Sequence, residues 1–366
     1  MRDTAAILTQ GLFTTSAAKT AHGLVRGPSR YEIVALIDDA GAGRDAGELL
    51  DGKRRGIPTF ASLEALLASG AQKPQWCVIG IATPGGVLPD ELRGALMWAL
   101  EHGIGVVNGL HEILSDDPRF QAAAARGGAR IHDVRKPKKR AELHFWTGDI
   151  VHVRAPRIAV LGTDCALGKR TTCQVLAAAC RARSIATEVV HTGQTGWLQG
   201  CGFGFVLDST PNDFVSGELE HAIVACDKEA RPDLILLEGQ SALRNPSGPC
   251  GAELMLSGGA RGVILQHAPA RRFFDDQEHR ENVNPSLVSE IALIGMYGPR
   301  VLAIALNHEH LPESERESTR ARIARETGLP TFYPLLDDLA PIAGLVAEFV
   351  AAEFVVAEQR RAAARR

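Results

Sequence analysis

The chain has 366 residues, 45% of them hydrophobic and 23% charged, with a formal net charge of -3 from 40 basic and 43 acidic side chains. That balance suits a globular chain long enough for two domains, each with its own core, and excludes bulk attraction to nucleic acid or to a membrane. The seven cysteines are odd in number and form no CxxC, which argues against a disulfide framework or a zinc knuckle and for a reducing, cytoplasmic setting.

The first segment, MRDTAAILTQGLF, has one arginine and a short apolar patch broken by Thr9 and Gln10. It reads as a strand over Ala5–Leu8 and not as a signal peptide. Apolar runs then recur: EIVALID ending at Asp38, WCVIGIA from Trp76, GVVNGL from Gly105 and ARIHDVR from Ala129. RIAVLGT from Arg157, TEVVHTG from Thr187, DLILLEG from Asp233, RGVILQH from Arg261, RVLAIAL from Arg300 and LPTFYP from Leu329 follow. Such runs, rich in Val, Ile and Leu and without alternation, suit parallel strands buried on both faces. Segments such as Leu63–Ser69, Glu91–His102 and Thr171–Ala182 supply the crossover helices.

No apolar run reaches transmembrane length. The C-terminal one is broken by Glu348, Glu353 and Glu358 and reads as an amphipathic helix. The predicted class is α/β, doubly wound, with an N-terminal Rossmann-like domain followed by a P-loop NTPase-like parallel-sheet domain. The expected boundaries are 1–140 for the first, 141–156 for a linker, 157–350 for the second and 351–366 for a C-terminal helix and Arg-rich tail. Five of the six residues Arg135–Arg140 are basic, which reads as a solvated linker or as an arm reaching a ligand phosphate. The loop after the first strand, TQGLFTTSAAKTAHG, lacks GxGxxG. A nicotinamide cofactor there is weakly supported, and Asp38 and Asp39 read as ordinary loop acids.

The chemistry centres on IAVLGTDCALGKRTTCQVL, Ile158 to Leu176. A buried strand runs into Gly162-Thr163-Asp164-Cys165-Ala166-Leu167-Gly168-Lys169 and then a helix, with five residues between the glycines where the general phosphate loop has four. Backbone amides and the helix N-terminus of such a loop cradle a di- or triphosphate, and Lys169 adds a point charge. The position after the lysine, where a Ser or Thr normally ligates magnesium, holds Arg170. Thr171 and Thr172 lie one and two residues further, and each residue turns a side chain by about 100°. Phosphate binding therefore reads as retained and magnesium-dependent phosphoryl transfer as compromised. A pyrophosphate that is held but not cleaved, such as that of coenzyme A, suits this loop. Cys165 reads as a small loop residue or, being a thiol at a helix N-terminus, as a nucleophile.

Further candidates follow the other strands of this domain. In VVHTGQTGWLQG, Gln194 and Thr195 stand at a strand's carboxyl end, with His191 and Thr192. DLILLEGQSALRNPSG ends a strand at Glu238, which can hold magnesium, orient water or act as general base, followed by Gln240, Ser241 and Arg244. His267 closes the next strand, and Arg271 or Arg272 can clamp a carboxylate or pair with Asp275 and Asp276. Asp213 begins a helix, as a near-cap acid or facing the loop ligand.

The loop resembles that of dethiobiotin synthetase, which also begins Gly-Thr-Asp. The set GTDCALGKRTT, HTGQTGW, NDFVSGELE and EGQSALRNPSG, with LQHAPAR, resembles over nearly the whole chain the two-domain family long catalogued as a domain of unknown function. One branch of that family is similar to D-glutamate N-acetyltransferase. The resemblance implies acetyl-CoA as co-substrate, a small amino acid as acceptor with D-glutamate one member of that class, and a loop used for the coenzyme. The family's run nearer EGQGSL is here EGQSALRNPSGPCGAE, so the acceptor pocket is expected to differ.

The expected assignment has Gly162, Thr163, Asp164, Cys165, Ala166, Gly168, Lys169, Arg170, Thr171 and Thr172 on the coenzyme. Glu238 is the first candidate base, with Asp213 and His267 as others. Gln194, Thr195, Gln240, Ser241, Arg244 and Arg272 are on the substrate, and no metal is required. A magnesium- and ATP-dependent ligase or kinase of dethiobiotin synthetase type and a non-catalytic nucleotide or coenzyme sensor are the other two readings. No nucleic-acid or membrane partner is expected, and a symmetric homo-oligomer is the base expectation for this class.

Overall fold

The computed structural model describes residues 2–364; Arg365 and Arg366 of the predicted tail lie outside the described residues. The chain divides into two compact units, one of Met1–Lys138, Gln194–Cys201 and Asp208–Thr210, the other of Lys139–Gly193, Gly202–Leu207 and Pro211–Arg366.

In the first unit, β1 (Thr4–Leu8), α1 (Lys19–Arg26), β2 (Glu32–Ile37), α2 (Ala46–Asp51), β3 (Thr59–Phe60) and α3 (Leu63–Ala68) follow in order, then β4 (Trp76–Ile79), α4 (Asp90–Glu101), β5 (Gly105–Asn108), α5 (Pro118–Gly127) and β6 (Ile131–Asp133). All strands are parallel in the order β3-β2-β1-β4-β5-β6, the strand order of a Rossmann sheet. Local signals set the helix starts. Asp45 accepts the amides of Gly47 and Glu48 ahead of α2, Ser62 that of Ala65 ahead of α3, and Asp117 that of Arg119 ahead of α5, which begins with Pro118.

The second unit contains β7 (Arg157–Gly162), α6 (Lys169–Ala182) and β8 (Thr187–His191). The short helix α7 (Gln194–Leu198) belongs to the first unit. Then follow β9 (Phe203–Gly204), α8 (Asn212–Glu229), β10 (Leu234–Glu238), α9 (Ala252–Leu256), β11 (Gly262–His267), α10 (Leu287–Met296), β12 (Arg300–Leu306), α11 (Glu313–Thr327), β13 (Thr331–Phe332) and α12 (Ala340–Ala364). The parallel sheet runs β13-β12-β11-β7-β10-β8-β9, with β7 central, so the loop leaving it stands between the ends of β10 and β11. The core is apolar on both faces, with Val160, Leu236, Ile264 and Ala303 fully buried. No described helix is long and apolar enough to cross a membrane. The expected α/β class holds. The two strands that sequence reading does not predict, β3 and β9, are each two residues long and lie at sheet edges.

The residues read as a linker, 141–156, are tied to α8. Buried Glu218 accepts the His144 amide at 2.8 Å, buried Glu220 those of Thr147 and Ile150 at 2.7 and 3.0 Å, and Asp227 that of Ala155 at 3.0 Å. Burial works against the Glu220 charge, but these amides hold its carboxyl below the usual value. Gly217 permits the close approach: a Cβ there would sit 2.2 Å from the His144 carbonyl oxygen. Gly217→Ala is therefore expected to cost about 2 kcal/mol despite its better helix propensity, a fall in Tm of roughly 4–8 °C. Thermal unfolding followed by circular dichroism measures it; an unchanged Tm would mean that the strap yields freely.

Candidate functional site

The carboxyl ends of β7, β8, β10 and β11 converge, as parallel sheets dispose their ligand sites. After Gly162 the loop turns through Ala166 at φ 51° and Gly168 at φ 96°, the left-handed region that disfavours a Cβ. It then enters α6, whose N-terminus no side chain caps. An uncapped N-terminus under a glycine-bounded loop fits the phosphates of a bound anion.

Asp164 shapes the loop. It is fully buried and accepts from the Cys165 amide at 2.6 Å, Asn245 Nδ2 at 3.0 Å, Arg271 Nη1 at 2.8 Å and the Asp275 amide at 2.8 Å. It is thus a tether for the loop. Asp164→Ala would take an acceptor from two backbone amides and from Asn245, and would remove the nearest carboxylate from Arg271, which keeps the Cys165 carbonyl at 2.9 Å. The expected cost is about 3–5 kcal/mol, read as a lower denaturation midpoint. An unchanged midpoint would refute the tether.

Lys169 Nζ is buried and donates to the carbonyls of Asp164 and Ser241 at 2.7 and 2.8 Å; burial pulls its pKa below the ordinary lysine value. Thr163 Oγ1 and His267 Nδ1 are 3.0 Å apart. Burial, aided by Arg322, lowers the His267 pKa to about 4. An imidazole so placed is neutral at physiological pH and a poor acceptor of protons, which weighs against it as the base. Cys165 Sγ lies 3.3 Å from Ser241 Oγ and accepts from Asn245 Nδ2 at 3.4 Å; its described partners include no carboxylate or imidazole.

Of the groups that a magnesium site would need, one hydroxyl is already engaged. Thr172 is buried and donates its hydroxyl to Gln266 at 2.6 Å, so it turns into the sheet. Thr171 is half-buried on α6. Arg170 is placed so that its charge acts on Glu238. Glu238 is 4% exposed. Burial raises its pKa, opposed by Arg170, by the Thr192 amide that donates to Oε2 at 3.2 Å, and by Lys169. Thr192 Oγ1 also donates to the Glu238 carbonyl at 2.7 Å and accepts from Gln240 Nε2 at 3.1 Å. Where an ATPase sets hydroxyl and acid around a cation, this site has an arginine whose charge favours the ionised acid.

The other predicted residues are placed differently. Arg244 donates through Nε to Glu290 at 2.7 Å and through Nη2 to Ser289 at 2.7 Å. Buried Glu290 thus engages the guanidinium expected near the acceptor carboxylate. Arg272 is exposed with its guanidinium over the Phe273 ring at 5.1 Å, and Arg271 is the neighbour that reaches Asp164. Asp213 is exposed in the first turn of α8, where an acid favours the helix dipole. Gln194 and Thr195 belong to the first unit, where Thr195 is buried 3.1 Å from the Thr20 hydroxyl. In the predicted basic arm, Arg135 pairs with Asp208 and Lys136 with Asp116, both at 2.7 Å. Sequence reading missed Asn245 and Gln266. The one signal was Gln266, a polar side chain next to the last residue of β11, after the apolar run GVIL.

Residues 144–343 match a family model described as a domain of unknown function, DUF1611_C, P-loop domain, and residues 39–137 match its partner, DUF1611_N, Rossmann-like domain. A D-glutamate N-acetyltransferase from Tritonibacter scottomollicae is 31% identical over 296 residues, covering 78% of this chain and 86% of that protein. One from Pseudoalteromonas sp. is 27% identical over 271 residues, covering 72% and 79%. The crystal structure of a DUF1611 family protein from Anabaena variabilis superposes with a TM-score of 0.86 at 31% identity, over 95% of this chain and 100% of that one. By its fold, its phosphate loop and these matches along both units, the chain belongs to the DUF1611 family.

Proposed function

We propose that the chain is an acetyl-CoA-dependent N-acetyltransferase acting on the amino group of a small amino acid, with D-glutamate the first acceptor to test. The observation that carries this reading is Arg170 directly after Lys169 in a phosphate loop, where phosphoryl transfer would use a Ser or Thr on magnesium, its charge favouring the ionised form of buried Glu238. The names of the two relatives support it. The loop Gly162–Thr172, the α6 N-terminus and Lys169 hold the coenzyme pyrophosphate. Acetyl-CoA supplies the activated acyl thioester. Glu238, a carboxylate whose burial makes it more basic than usual, takes the proton from the acceptor ammonium, because only the free amine is nucleophilic. Gln240, held through Thr192, and nearby amides stabilise the developing oxyanion. Arg272, which makes no ion pair among the described residues, receives the acceptor carboxylate.

The test is thiol release from acetyl-CoA with a panel of D- and L-amino acids, with and without magnesium and without ATP. Release that depends on the amino acid and not on magnesium is expected. No release with any acceptor, together with magnesium-dependent ADP formation from ATP, would replace this reading with a ligase or kinase.

A further inference from the structure

A separate cavity lies wholly within the first unit. Its volume is about 350 Å³, and Arg30, Tyr31, Trp76, Arg130, His132 and Trp197 line it together with Asp3. Asp3 precedes β1, Tyr31 precedes β2, Trp76 opens β4 and Arg130 precedes β6. In an all-parallel sheet these positions share the amino edge. Dinucleotides bind a Rossmann sheet at the carboxyl edge, so this cavity is not that crevice.

The walls are arranged as two indoles, each with a cation on it. The Arg30 guanidinium stands 4.2 Å from the Trp197 ring centre, and His132 stacks on the same indole at 4.6 Å. The Arg130 guanidinium stands 5.2 Å from the Trp76 ring. The Trp76 indole donates Nε1–H to Asp3 at 3.1 Å. Gly105 makes room for that ring across β5: a Cβ there would fall 2.6 Å from it. Arg30 is oriented by the carbonyls of Trp197 and Cys201, at 2.9 and 3.4 Å. Among the described residues neither guanidinium forms an ion pair, and the one acid in the wall, Asp3, is engaged by the indole. Two guanidiniums that pair with no carboxylate, against the single charge of Asp3, leave the wall net positive and call for an anion. Flanking π faces call for a flat ring.

We propose that this cavity binds a planar ring carrying a carboxylate or phosphate, at a site separate from the phosphate loop. The ring lies against Trp197 or Trp76, and the anionic group meets Arg30 and Arg130. The chemistry is shared by a nucleoside monophosphate and an aromatic carboxylate, and the test separates them.

The experiment is quenching of intrinsic tryptophan fluorescence in the full chain by AMP and by benzoate, with adenosine and ribose 5-phosphate as ring-only and phosphate-only controls. Saturable quenching by AMP or by benzoate is expected, and whichever gives it names the source. The controls are expected to bind at least about tenfold more weakly. Arg130→Gln, an exposed position, is expected to weaken binding about tenfold or more, with an unchanged circular dichroism spectrum and Tm. Binding at the phosphate loop would survive that substitution. An Arg130→Gln titration that matches the wild type overturns the proposal, as does the absence of saturable quenching by both anions.

Discussion

Glu238→Gln is expected to lower kcat/KM for acyl transfer by about 10²–10⁴-fold, the range of a general base, while leaving coenzyme affinity near that of the wild type. The amide keeps the acceptor for the Thr192 N–H and cannot take a proton. The pH profile makes the assignment specific. Burial raises the Glu238 pKa, so wild-type activity should fall as pH drops through a value above the ordinary carboxylate range. That acidic limb should vanish in Glu238→Gln.

Stability should move the other way. A folded-state pKa above the unfolded one means that the native state holds this proton more tightly. The stability so gained is full below the unfolded pKa, about 4.3, and is lost as pH rises through the raised folded value. At pH 8 the wild type carries the cost of a buried carboxylate that the variant lacks. The variant's Tm should equal or exceed the wild type's there, the difference closing toward pH 4. A lower Tm for the variant at pH 8, or acyl transfer at the wild-type rate, would remove Glu238 from its role.

Arg170→Met is expected to have the second largest effect. The substitution keeps a long apolar stem on α6 and removes the charge that helps Glu238 ionise. The acidic limb should move to higher pH, because burial would then be less opposed. kcat/KM at neutral pH should fall about 10²-fold, the scale of losing one preorganised charge from a water-excluded site. Added magnesium should restore nothing, since the Thr172 hydroxyl is held by Gln266. An acidic limb at the wild-type position would show that Arg170 does not act through Glu238. Recovery with magnesium would show that a cation, and not the guanidinium, is what the site is built around.

Much of this protein is determined by local order along the chain. Unalternating Val, Ile and Leu runs specify strands buried on both faces, and RIAVLGT followed by GTDCALGKR specifies a strand, a phosphate loop and a helix because each part needs only its neighbours. Arg170 after the lysine is likewise a local fact, and it alone questions magnesium. The tertiary structure decided what long-range partners decide. β3 and β9 are two-residue edge strands that exist only through the strand beside them. Asp164 is a tether because Asn245 and Arg271, 81 and 107 residues away, converge on it. Arg244 is engaged because Glu290 is buried next to it, and His267 is a weak base because its surroundings desolvate it. The two Trp–Arg pairs around the first unit's cavity bring Arg30 to Trp197 and Arg130 to Trp76, side chains that no periodicity joins. Residue types and spacing reveal which groups can do chemistry; burial and partners, set only when distant segments pack, determine which of them remain available to do it.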